Sequence, residues 1–255
     1  MTPRVDSRSI RFLDLELFQP LHGSTMSAQL LGPSQSLLIV IGSRNAKKSR
    51  EMHELIAPPW EPDPILSRLC VRSLEDYPEA PTVVEDAPTF SANARKKAAE
   101  LALALREWVL ADDSGLTVDA LGGQPGVQSA RYAGEPCDDE ANNRKLLTAL
   151  EGIPDALRTA AFCCSLALAE PSGTIRLEAE GVCRGRITER PRGNHGFGYD
   201  PLFLIPEYHR TFGELTSLVK HHLSHRARAF AALRPGLKRL IQELDPKADW
   251  GRELP

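Results

Sequence analysis

The run Ser36-Leu-Leu-Ile-Val-Ile-Gly42 constrains the fold more than any other stretch of the chain. It is unbroken, aliphatic, short and closed by glycine, so it reads as a strand buried on both faces of a sheet. A strand of that kind needs layers packed above and below it. The rest of the chain supplies them. Residues 45–56 read as a helix stopped by Pro58 and Pro59, and residues 69–74 as a second strand. A polar, proline-rich loop spans 75–88. Thr89 is a fitting N-cap for an Ala- and Leu-rich helix over 89–105. Trp108-Val-Leu-Ala111 reads as a third buried strand ending at Asp112-Asp113-Ser114-Gly115, and residues 138–150 as a helix. Residues 159–169 and 174–187 form a hairpin around Pro171-Ser172-Gly173, residues 202–205 a short strand, and 224–233 and 235–244 two closing helices. Strands interleaved with helices, plus a hairpin, predict an α/β fold with a mixed sheet.

The folded domain is expected over residues 37–246, with a tail at 247–255. Residues 1–36 lack periodicity and read as an N-terminal extension, either disordered or a mis-assigned start with Met26 as the true initiator. A net charge of -3 provides no global basic field, so nucleic acid is not an expected partner and any anion site must be a local cluster. No apolar stretch approaches the ~20 residues that span a bilayer, so no membrane association is expected. Five cysteines without metal-ligand spacing suit free thiols in a reducing cytoplasm.

Three clusters carry chemistry. Gly42-Ser43-Arg44-Asn45-Ala46-Lys47-Lys48 joins a buried strand to a helix start, where backbone N–H groups and the positive end of the dipole favour phosphate. The run approaches a P-loop, but Lys47 stands where its second glycine would be. Its bland alternative is a solvated basic turn. Asp112 and Asp113 lie at an expected strand end, where open sheets bind ligands. Two adjacent carboxylates with Glu85 suit Mg²⁺, which takes one or two carboxylates and completes its shell with water and phosphate. Otherwise they are turn or capping residues. Gly196-Phe197-Gly198-Tyr199-Asp200 sets a ring between glycines, open to a stacked base or serving only as a loop anchor. In Lys220-His221-His222-Leu223-Ser224-His225-Arg226 the absence of carboxylates argues against a metal and for donors that read oxygens.

Taken in order, Ser43–Lys48, Glu85–Phe90 with Asn93–Lys97, Ala111–Leu116, Pro125–Tyr132, Gly196–Phe203 and Ser224–Arg226 resemble the inosine triphosphate pyrophosphatases, the RdgB-like dITP/XTP pyrophosphatase family, over nearly all of the ordered chain. The resemblance implies a two-lobed mixed α/β structure around a central nucleotide cleft, usually homodimeric. It implies an Mg²⁺-dependent enzyme that splits non-standard purine nucleotides (ITP, dITP, XTP) into monophosphate and pyrophosphate. By the same resemblance Ser43, Arg44, Asn45, Ala46, Lys47 and Lys48 hold phosphates, with Lys97 and Lys220 assisting. Glu85, Asp112 and Asp113 serve the metal, and Asp113 is also the general base. Ser114 contacts substrate, Phe197 with Gly198 and Tyr199 cradles the base, and Asp200, His225 and Arg226 read its edge. His195 and His221 depart from residues common in the family. Two rivals stay open: an NTPase releasing orthophosphate, against which Lys47 argues, and a non-catalytic nucleotide sensor, against which the three carboxylates argue.

Overall fold

The computed structural model describes residues 36–245. The expected extension over 1–35, the Met26 start and the tail at 247–255 lie outside the described residues. In chain order the elements are β1 (Leu37–Ile41), α1 (Ala46–Ile56), β2 (Leu69–Ser73), α2 (Phe90–Leu105), β3 (Trp108–Val118), α3 (Asp139–Ala149), β4 (Thr159–Ala169), β5 (Ile175–Ile187), β6 (Phe203–Ile205), β7 (Arg210–Thr211), α4 (Ser217–Leu223) and α5 (His225–Leu244). They build one seven-stranded sheet in the order β2-β1-β3-β4-β5-β6-β7. β1 pairs in parallel with β2 and β3, and the other pairings are antiparallel. The expected mixed α/β sheet is present.

Three apolar clusters flank this sheet. β1 is wholly apolar because it is covered twice: Leu37, Ile39 and Ile41 face α1 and α5, while Val40 faces α2. Trp108 and Leu110 join the first of these clusters, Val109 and Ala111 the other. Farther along β3, Leu116 and Val118 enter a third cluster with α3, β6 and the Phe162, Phe203 and Phe212 rings. Residues 112–115 fall in the gap between cores. The protein is therefore two-lobed, with the long strands β3 to β5 running through both lobes, and a polar waist between them.

Two expectations need correction. β3 does not stop at Ala111. β4 pairs with it from Val109↔Ala169 to Val118↔Ala160, so the polar residues have ladder partners and the strand continues. What stops is β1, whose pairing ends at Ile41↔Leu110. Asp113 thus projects from mid-strand at the carboxyl end of a neighbouring strand. The closing helices are also one: α5 runs through Pro235. A helix-interior proline costs about 3 kcal/mol, but Phe230, Leu233, Leu237, Leu240, Ile241 and Leu244 form one continuous buried stripe, and its burial outweighs that cost. The short α4, read in the sequence only as a basic cluster, was missed because seven residues give too little periodicity to detect.

Candidate active site

The loop from β1 to α1 is built around Asn45, whose side-chain oxygen accepts from the Lys47 and Lys48 N–H groups at 3.0 and 3.1 Å. Those two donors are therefore already satisfied, and the helix start offers an anion its dipole and the lysine charges more than free N–H groups. Ser43 is buried and accepts from the Asn45 N–H at 3.3 Å. The Arg44 guanidinium reaches the Ala80 carbonyl across the cavity mouth. Arg44, Asn45, Ala46 and Lys47 are exposed.

Alternation along β3 sends Asp112 and Asp113 to opposite faces. Asp113 accepts from the Asn93 side-chain amide at 2.9 Å and from the Ser114 N–H at 2.9 Å. Burial pushes its carboxyl up to about 6, with Lys48 and Asn93 only partly opposing and Glu85 adding to the rise. Asp113 shares a cavity of about 950 Å³ with Ser43, Arg44, Lys48, Glu85, Lys97 and Arg131. Lys97 sits 3.0 Å from Glu85, and Arg131 donates to the Glu85 carbonyl at 2.9 Å.

Asp112 has a different job. It is fully buried, accepts from the Ser114 hydroxyl at 3.0 Å, and lies 3.4 Å from Arg226 and 3.6 Å from Lys48. Burial alone would raise its pKa, but Lys48 and Arg226 overcome that and hold it well below the usual range. Strand alternation turns Asp112 and Asp113 to opposite faces, and one Asp112 oxygen serves Arg226, Lys48 and Ser114 while the other is buried without a partner. Among the described residues no three His, Cys, Asp or Glu side chains gather into a metal cage. Glu85 and Asp113 do share one cavity wall. Two carboxylates that otherwise repel, open to water and facing a basic wall, fit an Mg²⁺ ion that arrives with its phosphates.

A second cavity, of about 570 Å³, adjoins the first through Asn45, Lys48, Ser114 and Ala130. Its walls are Phe162, Phe197, Gly198, Tyr199, Asp200, Lys220, His225 and Arg226. Lys220 stands 4.9 Å and Arg226 5.5 Å from the centre of the Phe197 ring, and Lys47 approaches from outside at 5.9 Å. Asp200 is buried. It accepts from Lys220 at 2.7 Å and from the Phe197 N–H at 2.9 Å, and burial keeps its carboxyl raised despite Lys220. Lys220 therefore lines the aromatic cavity, where Asn45 and Lys48 of the expected phosphate grip also reach. The Tyr199 hydroxyl is committed to the Ser129 carbonyl at 2.9 Å, so Tyr199 contributes ring and backbone but no free hydroxyl.

His225 and Arg226 open α5. Gly181 on β5 lets them come close: a Cβ there would stand 2.1 Å from the His225 carbonyl and 2.3 Å from the Ala229 nitrogen. His225 stacks on Phe162, with ring centres 4.8 Å apart, and its Nδ1 is buried without a partner. Burial first, then the charges of Arg226 and Lys220, hold it well below the usual histidine range, so it is neutral. Arg226 is buried between Glu51 at 2.5 Å, Asp112 and the Ser114 hydroxyl at 2.8 Å.

Sequence reading missed Asn93 and Glu51. Asn93 lay inside a motif already quoted and its spacing to Asp113 carried no signal; the contact spans 20 residues. Glu51 sits on α1 among charged neighbours and gave no sign of being buried. Of the expected residues, Asp112 lies buried outside both cavities and Ala46 and Lys47 are exposed outside them, while the rest line one or other of the two adjoining cavities.

The sequence model of the Ham1 family matches residues 39–236. The chain belongs to the Ham1 family. It is 53% identical over 204 residues to a dITP/XTP pyrophosphatase of Rhodopirellula baltica, covering 80% of this chain and 94% of that one. It is 50% identical to a dITP/XTP pyrophosphatase of Shouchella clausii, covering 82% and 98%. Among solved structures it is similar to a HAM1 protein from Coxiella burnetii, with TM-score 0.68, 37% identity, and 81% and 99% of the two chains covered. A nucleoside-triphosphatase / dITP/XTP pyrophosphatase from Mycobacterium abscessus matches with TM-score 0.60 and 41% identity over 77% and 98%. The family expected from the motifs is the family found.

Proposed function

We propose that this Ham1-family protein is a nucleoside triphosphate pyrophosphatase acting on non-canonical purine nucleotides (ITP, dITP, XTP), whose 6-position is a carbonyl, and yielding monophosphate and pyrophosphate. The observation that carries the reading is the position of Asp113: a carboxylate raised to about 6 in the lysine-walled cavity, next in sequence to Ser114, which lies on the seam with the aromatic cavity. A nucleotide with its base at Phe197 and its outer phosphates at Lys48 and Lys97 brings its α-phosphorus to that seam.

Asp113 accepts the proton of an attacking water. The new bond forms between water oxygen and the α-phosphorus, the bond to the bridging oxygen of the β-phosphoryl breaks, and pyrophosphate leaves toward Lys48, Lys97 and Arg44. Asn93 and the Ser114 N–H hold the carboxylate in place, so the base does not reorganise as charge develops. Mg²⁺ held by Glu85 and Asp113 would neutralise phosphate oxygens and make a bound water more acidic. Asp112 takes no proton; it anchors Arg226.

Selectivity rests on buried donors. Arg226, Lys220 and the neutral His225 surround the aromatic cavity. A 6-carbonyl gives such donors an acceptor, and an adenine amino group leaves one unpaired, a mismatch worth up to four to five decades in kcat/KM. The test is a panel of ITP, dITP, XTP, GTP and ATP with Mg²⁺. We expect kcat/KM for ITP, dITP and XTP to exceed that for ATP by at least a hundredfold; equal values would remove this reading. The same account describes a homodimer in a reducing cytoplasm. The five cysteines are all unpaired, as a reducing compartment requires. Light scattering of the purified protein tests the dimer.

A further inference from the structure

Phe197 stands in a loop without regular secondary structure, so something outside the loop must hold the ring where a base can stack. The residue after it is gripped on both sides of its backbone. The Gly198 N–H donates to the Asp139 carboxylate at 2.9 Å, and its carbonyl accepts from the Asn143 side-chain amide at 3.0 Å. Asp139 and Asn143 are four apart on α3, so one helix face presents both groups. α3 is itself well fixed. Asp138 caps it through the Glu140 and Ala141 N–H groups at 2.8 and 3.2 Å, and buried Asn142 ties it to Ala133 and Ala130. On the other flank, Asp200 receives the Phe197 N–H. Gly198 has φ +60, a conformation that favours glycine.

We infer that Asp139 and Asn143 are positioning residues for the base: a clamp from α3 that sets the seat of Phe197 and thereby the substrate affinity of the enzyme, without touching the reacting phosphorus. The inference rests on the proposed stacking role of Phe197. Stacking uses the face of a base, which every purine has, whereas its edge is read by Arg226, Lys220 and His225, none of which α3 holds. Loosening the clamp therefore weakens all purine triphosphates alike and leaves the preference for a 6-carbonyl untouched. Asp139 borders the aromatic cavity, but neither residue lines the cavity that holds Asp113, so kcat at saturation stays near its original value.

The experiment is a kinetic cycle on the full chain with ITP and ATP. Asp139→Ala combined with Asn143→Ala should raise KM for ITP about tenfold, change kcat less than twofold, and leave the ITP-to-ATP ratio of kcat/KM unchanged. Asp139→Asn, whose side-chain oxygen still accepts from the Gly198 N–H, should restore most of the affinity lost in Asp139→Ala. In a Phe197→Ala background the clamp substitutions should have no further effect on KM. Circular dichroism and thermal melting establish that each variant is folded. Unchanged KM in the double variant overturns the clamp. So does an equal KM rise in the Phe197→Ala background, which would mean that α3 acts by another route. A wild-type KM in Phe197→Ala itself would overturn the stacking assignment, and the clamp with it, a failure distinguishable from the first two.

Discussion

Asp112 and Asp113 are identical side chains one residue apart, yet the fold drives their proton affinities in opposite directions. Both are buried. Asp112 faces Lys48 and Arg226 and stays ionised, while Asp113 faces an amide, a neighbouring carboxylate and more distant cations, and rises to about 6. The sign of the linkage follows: a carboxylate raised in the folded state contributes stability below its unfolded pKa near 3.8 and loses it as pH climbs through about 6. At neutral pH the ionised Asp113 is therefore a burden, of up to roughly 3 kcal/mol by the pKa difference. Asp113→Asn mimics the protonated form. It should lose several orders of magnitude in kcat and yet melt at or above the wild-type temperature at pH 7.5; a clearly lower Tm would contradict this environment for Asp113. In the same vein, the Asp113 carboxyl carbon should titrate near 6 by NMR in the metal-free protein, and Mg²⁺ should lower that midpoint. A midpoint indifferent to Mg²⁺ would remove Asp113 from the cation site. The pair of aspartates was legible in the sequence; their division of labour was not, because it depends on strand alternation and on Glu51, Asn93 and Arg226, which come from three other elements.

At the scale of elements, the site depends on how closely helices approach the sheet. α5 enters over Gly181, with no room for a methyl group. Gly181→Ala should push the helix start outward, cost about 1–3 kcal/mol as an overpacked contact, and reduce kcat/KM for ITP by displacing His225 and Arg226. Normal kinetics in a destabilised variant would mean that their placement does not depend on this contact. Sequence patterning found nearly every element here because buried runs, caps and turns are local signals: Asn45, Thr89, Asp138 and Ser224 all cap helices. It erred where a distant partner decided. β3 was read as ending at its first charge, since only β4 makes the polar stretch a strand. α5 was split at Pro235, since only the buried stripe shows that the helix continues.

For the whole molecule, the waist between the cores is where the candidate site lies. It concentrates buried ionisable groups that a continuous apolar core would exclude. One consequence is pH-dependent stability. His225 is buried neutral, with a pKa depressed well below that of an unfolded histidine near 6.5, so the unfolded chain takes up a proton that the folded one refuses. Stability from this group is present above pH 6.5 and declines as pH falls below it. Over the same range the raised Asp113 carboxyl acts in the opposite sense, so the test uses the Asp113→Asn background: denaturant midpoints there should drop between pH 6.5 and 5, and adding His225→Gln should flatten that slope; an unchanged slope would contradict a neutral His225. The two-cavity cleft was legible as motifs scattered along the chain. That they converge on one waist was implied by resemblance and emerges here from the alternation of cores along β3.

The central claim is that water, with its proton passed to Asp113, attacks the first phosphorus of the chain. Hydrolysis of ITP in ¹⁸O-labelled water, followed by mass spectrometry of the products, tests it most directly. The account predicts one labelled oxygen in the nucleoside monophosphate and none in the pyrophosphate. Label in the pyrophosphate, or release of labelled orthophosphate, would contradict it.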